Sequence, residues 1–336
     1  MEMNRQFLLM RRPQGRPVAE DFALAEAPLA PLAEGQFRIR NRFASLDPAI
    51  RGWLDDRPGY MPPVALGAPV RATTIGEVVE SRHPAFAPGD WVLGLHAIET
   101  HSTGEPGGFT QRIDPGIVPS PTHFLSVLGA VGLTAWFGVT EILKPGPGDV
   151  LLVSGAAGAV GSLAGQIARH FGARAVGIAG GPEKCRRLRE RYGFDAAIDH
   201  RGKSASALAG EVRAAAPEGV SLVFENVGGP ALEAALLNLR DGARIALCGL
   251  ISEYNAPEPE GARNLWQLIV HRATLRGFLV SEWLDRFPEG ALRMAELVRS
   301  GALVFDEHVE EGIDRAYPAF MRLFDGTNEG KMILKL

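Results

Sequence analysis

Cysteine is nearly absent. Cys185 and Cys248 are the two thiols of a 336-residue chain. Two are too few for a disulfide framework and fall short of a four-cysteine structural zinc site. No cysteine precedes residue 185, although His83, His96, His101 and His123 all do. A catalytic zinc held by two thiolates and an imidazole therefore lacks its ligands in the first half of the chain. The eight histidines never take the H-E-x-x-H spacing. No resident metal is expected.

Long apolar runs are missing too. None approaches the roughly 20 residues that cross a bilayer. The opening Met1-Glu2-Met3-Asn4-Arg5-Gln6 shows no charged-then-apolar leader pattern. Nor is there an excess of one charge: the net charge is −4 and the pI near 6.1. Such a balance draws the chain neither to nucleic acid nor to anionic lipid. The expectation is a soluble cytoplasmic protein with no nucleic-acid or membrane partner.

What is present divides in two, as the length suggests. Residues 1–125 are rich in Pro and Gly. They carry short apolar runs such as Gln36-Phe37-Arg38-Ile39-Arg40 and Asp90-Trp91-Val92-Leu93-Gly94-Leu95, parted by turns such as Pro88-Gly89-Asp90. That rhythm predicts an all-β, barrel-like domain. Residues 126–305 alternate apolar strands with helix-length segments. Strands are expected at Val150–Ser154, Arg174–Ala179, Ala196–Asp199, Val220–Glu225, 243–249 and 274–280. Leu163, Ile167 and Phe171 fall on one helical face after the first of them. The pattern predicts an α/β fold with a doubly wound parallel sheet. The closing runs, Leu303-Val304-Phe305 and Lys331-Met332-Ile333-Leu334, are expected to rejoin the first domain, which residues 306–336 complete.

The sharpest local signal follows the first strand: Gly155-Ala156-Ala157-Gly158-Ala159-Val160-Gly161. A buried strand, a turn of small residues and a helix start make a dinucleotide cradle. The backbone can approach a pyrophosphate, and peptide N–H groups and the helix dipole face it. Ala156 stands where the G-x-G-x-x-G pattern has its first glycine; read from Gly155, small-x-x-Gly-x-x-Gly is complete. An NAD-binding sheet carries an acid at the tip of its second strand, for the ribose 2′-hydroxyl. Here that tip is Ala179-Gly180-Gly181, with Lys184, Arg186 and Arg187 just beyond. A missing acid and adjacent bases suit a 2′-phosphate. NADP(H) is the expected cofactor, with Lys184 as the phosphate ligand. Glu183 is expected to open the next helix, where an acid is favourable. Cys185 is read as a helix-surface thiol and Cys248 as a small buried hydrophobe.

With these pieces placed, the chain resembles the medium-chain dehydrogenase/reductase superfamily. It is most similar to the zinc-independent prostaglandin reductase and leukotriene 12-hydroxydehydrogenase group, whose bacterial members include curcumin reductases. The resemblance runs through Val131-Gly132-Leu133-Thr134-Ala135-Trp136-Phe137-Gly138, the phosphate loop, Gly181-Pro182-Glu183-Lys184 and Glu225-Asn226-Val227-Gly228-Gly229. It continues in Cys248-Gly249-Leu250-Ile251-Ser252-Glu253-Tyr254-Asn255 and Asn328-Glu329-Gly330-Lys331. It implies a GroES-like β-barrel built from both chain ends, a Rossmann domain between them, and a homodimer. It implies cofactor contacts at Thr134, residues 155–161, Gly180, Lys184, His200, Asn226, Cys248, Tyr254 and Asn328. Two positions depart from the group. Ala49 and then Arg51 follow Asp47-Pro48 where a substrate-lining tyrosine is usual, and His200 replaces a tyrosine beside the adenosine half. Ala49, Arg51 and Tyr254 are therefore the expected substrate contacts, although a lone arginine is more often solvated.

The chemistry implied is hydride addition to the double bond of an α,β-unsaturated ketone or aldehyde. Charge then develops on the carbonyl oxygen, and without a metal a hydrogen-bond donor must meet it. Tyr254 is the candidate, since phenols titrate near 10 and donate at neutral pH. Two other readings stay open: a zinc-free NADPH quinone reductase, and a non-catalytic NADPH-binding sensor.

Overall fold

The computed structural model describes residues 2–57, 59–105 and 108–336. Its chain divides into two units, one of residues 1–125 and 307–336, the other of residues 126–306.

The first unit is mostly antiparallel. Strands β1 (Met3–Leu9) and β2 (Phe22–Pro28) form a two-stranded sheet. A seven-stranded sheet is built on β3 (Phe37–Ser45) and β4 (Arg71–Ser81), followed by β5 (Trp91–Ala97), β6 (His101–Gly104) and β7 (Thr110–Ile113). One edge of β3 has two partners in turn: β6 along Phe37 to Arg40, and the last strand of the chain along Phe43 to Ser45. The short helix α1 (Ile50–Trp53) buries Ile50 with Leu46 and Leu54 in a core of Phe7, Leu9 and Phe22. His96 sits inside, between the hydroxyls of Thr74 and Thr110 at 2.8 and 3.0 Å. Burial pushes its imidazole down to about 4, so it is neutral at physiological pH.

The second unit opens with helix α2 (Ala130–Phe137), then alternates strand and helix. The succession is β8 (Val150–Ser154), α3 (Ala159–His170), β9 (Arg174–Ala179), α4 (Pro182–Glu190), β10 (Ala196–Asp199), α5 (Ala205–Ala215), β11 (Val220–Glu225) and α6 (Gly229–Leu236). After it come β12 (Leu239–Leu247), α7 (Trp266–Val270), β13 (Thr274–Gly277) and α8 (Phe287–Arg299). All six strands run parallel, in the order β10-β9-β8-β11-β12-β13. Strand β8 is buried along its whole length because helices cover both faces. Leu151 and Val153 enter one core with Leu163 and Ile167, and Val150 and Leu152 enter the other with Leu208 and Leu232. The strand order reverses between β8 and β11, and ligands of such sheets sit at that point, beyond the strands' carboxyl ends.

Four of the six expected strands have the expected bounds; β12 and β13 do not. Strand β12 starts early, at Leu239 beside Val220, with a register shift before Arg244. It also stops before Cys248, because the Cys248 and Gly249 N–H groups turn to the Glu225 carbonyl. Strand β13 ends at Gly277, and the Leu279 N–H is captured by the Glu282 carboxylate, which opens a helical turn. Helix α3 ends one residue before Phe171, which is exposed and packs on Trp136 and His170.

The chain then returns to the first unit through β14 (Glu307–Glu311), α9 (Ala316–Asp325) and β15 (Lys331–Lys335). Strand β15 lies between β14 and β3. Leu303-Val304-Phe305 does not rejoin that unit, contrary to expectation. Leu303 is in the second unit's core, and the Gln166 side chain brackets Val304 with two 2.9 Å bonds. Among the described residues, no helix is long and apolar enough to cross a membrane.

Candidate active site

The turn after β8 has the geometry of an anion cradle. Gly155 adopts φ +58, which a side chain would strain, and a Cβ there would lie 3.3 Å from Val227 Cγ2. At Gly161 a Cβ would stand 2.5 Å from the Gly155 carbonyl oxygen, so only glycine lets α3 start this close to the strand. Gly158 caps α3, and the Gly158 N–H closes the turn onto Gly155 O at 2.9 Å. Ala156 and Ala157 are buried behind it. The N–H groups of Ala159, Val160 and Gly161 fall in the first turn, which has no in-helix acceptors to offer them.

Three loops meet at the strand ends, and Glu225 ties them. This last residue of β11 is fully buried. Its Oε1 accepts hydrogen bonds from Ser154 Oγ at 2.6 Å, Val227 N at 2.8 Å and Gly228 N at 2.7 Å. Ser154 Oγ accepts the Asn226 N–H, and Asn226 Nδ2 donates to Ser154 O at 2.7 Å. The loop after β12 is stitched on by Ile251 N to Asn226 O and by Ser252 to Val227 O. Glu225 Oε2 is buried without a hydrogen-bond partner. Burial raises the Glu225 carboxyl above the ordinary carboxylate range, against the surrounding hydrogen-bond donors that lower it. No motif in the sequence marks this residue as the tie.

Tyr254 stands at the end of the third loop, half-buried. Its phenol oxygen accepts the Leu250 N–H at 3.3 Å, and a Cβ on Gly249 would lie 2.9 Å from it. Cys248 is beside this loop. Burial and the nearby Glu225 push its thiol up to about 12, which excludes a thiolate at neutral pH. Thr134 lies on α2, with its hydroxyl donating back to Ala130 O.

At the tip of β9, Gly180 and Gly181 precede α4, and Lys184 is half-buried on its first turn. Glu183 opens that helix as expected. Arg186 does not face an incoming anion: its guanidinium binds both Glu183 oxygens and Glu190 on the same helix. Cys185 is buried, not on the surface, and burial raises its thiol. The His200 ring lies against the turn, its Nε2 3.1 Å from a Cβ placed on Gly180. Partial burial lowers its pKa, so it acts as a neutral ring.

The first unit holds the remaining candidates. Ala49 caps α1 and is half-exposed. Arg51 is not solvated, as a lone arginine more often is. It is 2 % exposed, donating to Asp55 at 2.6 Å and to Gly15 O at 2.9 Å. Its charge braces the unit from within. Asn328 is buried and donates to Gly330 O at 2.9 Å. Lys331, which sequence reasoning passed over as a strand residue, is also buried. Its Nζ donates to Leu46 O, Met332 O and Asp47 Oδ1, which clamps the segment leading to Ala49.

Known proteins give this geometry a family. Residues 5–111 match a model described as the N-terminal domain of oxidoreductase, and residues 159–296 one described as zinc-binding dehydrogenase. The metal in the second description finds no ligand set here: among the described residues, no three His, Cys, Asp or Glu are grouped to hold an ion. The NADPH-dependent curcumin reductase of Escherichia coli is 40% identical over 286 residues, 84% of this chain and 81% of that one. The NADP-dependent 2-alkenal reductase of Nicotiana tabacum is 33% identical over 98% of this chain and 97% of its own. The crystal structure of CurA from Vibrio vulnificus in complex with NADPH superposes with a TM-score of 0.91 at 37% identity, covering 98% of each chain. The chain belongs to the medium-chain dehydrogenase/reductase superfamily, in its zinc-independent group of oxidoreductases.

Proposed function

We propose that the protein reduces the carbon–carbon double bond of α,β-unsaturated ketones and aldehydes with NADPH. The observation that carries this reading is the meeting of the β8, β11 and β12 loops at the switch point, with Tyr254 on the third. Curcumin and 2-alkenals, for which two relatives are named, are both conjugated carbonyl compounds.

When bound, NADPH supplies the hydride. Residues 155–161 cradle its pyrophosphate, and Lys184 meets its 2′-phosphate. Asn226, pinned through Nδ2 to Ser154, shapes the floor of the nicotinamide end. Tyr254 would hydrogen-bond the substrate oxygen through its phenol O–H as enolate charge develops there, and a proton from solvent would complete the α-carbon, leaving the carbonyl intact. Its oxygen is steadied by the Leu250 N–H, an arrangement that orients the ring before substrate arrives.

The test is NADPH consumption over a panel of alkenals, cyclic and open-chain enones and quinones. The expected product has a saturated bond and an intact carbonyl. Turnover of quinones alone would replace this reading with quinone reduction. NADPH binding with no turnover of any acceptor would replace it with a sensor. Lys184→Ala is expected to weaken NADPH by about tenfold or more, the loss of a charge-assisted contact, and to spare NADH. Isothermal titration with both cofactors checks it.

We place the protein in the cytoplasm as a homodimer. Strand β13 is an open sheet edge, and α7, which precedes that strand in the chain, exposes Trp266, Ile269 and Val270, with Leu265 exposed just before the helix. An open edge and exposed apolar side chains suit a second copy of the same strand. Sedimentation should return twice the 36.0 kDa chain mass, and Trp266→Asp should shift it toward one.

A further inference from the structure

We propose that Arg201 is a second cationic ligand of the cofactor's 2′-phosphate and a determinant of NADPH over NADH; the assignment rests on the NADPH reading above. The guanidinium lies against the turn at the tip of β9. A Cβ on Gly181 would come 2.9 Å from Arg201 Nη1 and 3.2 Å from Cζ, and one on Gly180 would come 3.5 Å from Nε. Gly181 also holds φ +95, a backbone conformation that a side chain would strain, so the arginine rests against bare backbone there.

This placement is enforced. Asp199 ends β10, and its Oδ1 accepts the Gly181 N–H at 2.7 Å and the Arg201 N–H at 3.0 Å. One carboxylate oxygen thus fastens the turn after β9 to the turn after β10, and fixes the arginine's register above the glycines. Burial opposes the charge on Asp199, yet the two backbone bonds hold its carboxyl below the usual range. The acid is therefore a tie between loops, with its acceptor oxygen already engaged, and it does not take the ribose-binding place of an acid at the tip of β9.

Charge completes the case. Arg186, the base nearest Lys184 in sequence after Cys185, is neutralised by Glu183 and Glu190. Arg201 forms no ion pair with a carboxylate among the described residues. An arginine laid on a glycine turn offers a planar fork of donors, which matches a phosphate bidentately. The neutral His200 ring shares the same glycine turn and adds a flat hydrogen-bonding face without charge.

The experiment measures dissociation constants of NADPH and NADH by calorimetry for the wild type, Arg201→Ala, Arg201→Lys and Arg186→Ala. Arg201→Ala should weaken NADPH at least about tenfold and change NADH less than about twofold. Arg201→Lys should recover part of the loss, since it keeps the charge and loses the fork. Arg186→Ala should match the wild type. The salt dependence of NADPH binding should be shallower in Arg201→Ala than in the wild type. Asp199→Asn, which keeps an acceptor oxygen, should bind NADPH more tightly than Asp199→Ala. A wild type selective for NADPH whose Arg201→Ala variant stays as selective overturns the assignment and leaves the cofactor reading intact. Equal weakening of both cofactors overturns it as well, in favour of a contact to the shared adenosine. A wild type that binds the two cofactors alike overturns the cofactor reading itself.

Discussion

Tyr254→Phe should lower kcat for an enone by about 10²–10³-fold, the loss of one preorganised donor worth about 2.7–4 kcal/mol at an oxyanion. NADPH affinity should hardly change, because the lost atom serves the substrate and not the dinucleotide. The fold should tolerate the change. The phenol oxygen accepts the Leu250 N–H in a half-buried loop, and removing a neutral bond of that kind costs about 1 kcal/mol. A companion variant separates donor from scaffold. In Gly249→Ala the new Cβ would press on the phenol oxygen from 2.9 Å, so the ring must move while the donor survives. Its kcat should fall part of the way, with KM for the enone rising. Single-turnover rates at saturating NADPH measure both. If Tyr254→Phe turns over at the wild-type rate, the phenol has no part in the chemistry and the oxygen must be met by another donor.

The sequence made the second unit's architecture plain because its strands are buried on both faces. An unbroken apolar run such as Val150-Leu151-Leu152-Val153, closed by a Gly/Ala turn and followed by a 3.6-residue pattern, has few other solutions. Strand ends governed by long-range partners were not legible. Strand β12 stops where two N–H groups turn to Glu225 O, and nothing near Cys248 announces that. The candidate site divides in the same way. Small residues at 155–161 declare a backbone approach, since their role lies in their own geometry. Spacing could not set Arg186 aside, and nothing in it pointed to Arg201. The first stands two residues after Lys184 yet is neutralised along its own helix, while the second reaches the Gly180 turn from the next strand. Arg51 misled for a related reason: a lone arginine is more often solvated, and only the fold supplies Asp55 and Gly15 O to bury it. Glu225 is the extreme case, a charged residue that closes an apolar strand and whose carboxyl turns inward to tie the neighbouring loops.

That inward turn supports the other large effect. Glu225→Leu keeps side-chain bulk and removes the acceptor of Ser154 Oγ, Val227 N and Gly228 N. A buried donor left unsatisfied costs about 1–3 kcal/mol, and relief of the desolvated carboxyl offsets part of three such losses. A net loss of about 3 kcal/mol or more is expected, with weaker NADPH binding because Ser154, Val227 and Gly228 all lose their common anchor. Glu225→Gln keeps an acceptor oxygen in the same place and should cost about 1 kcal/mol. The pair also separates geometry from charge. A carboxyl raised in the folded state binds its proton more tightly there than in the unfolded chain. Its contribution is therefore favourable at low pH, and stability falls as pH climbs from the ordinary carboxylate value through the raised one. The wild type should lose this increment as pH rises above the ordinary carboxylate range, and Glu225→Gln, having nothing to titrate, should not. Urea unfolding midpoints of the three proteins over that rise read both effects. A Glu225→Leu protein as stable as the wild type would mean that the three loops hold one another without the carboxyl. A Gln variant with the wild-type pH slope would place the titration elsewhere.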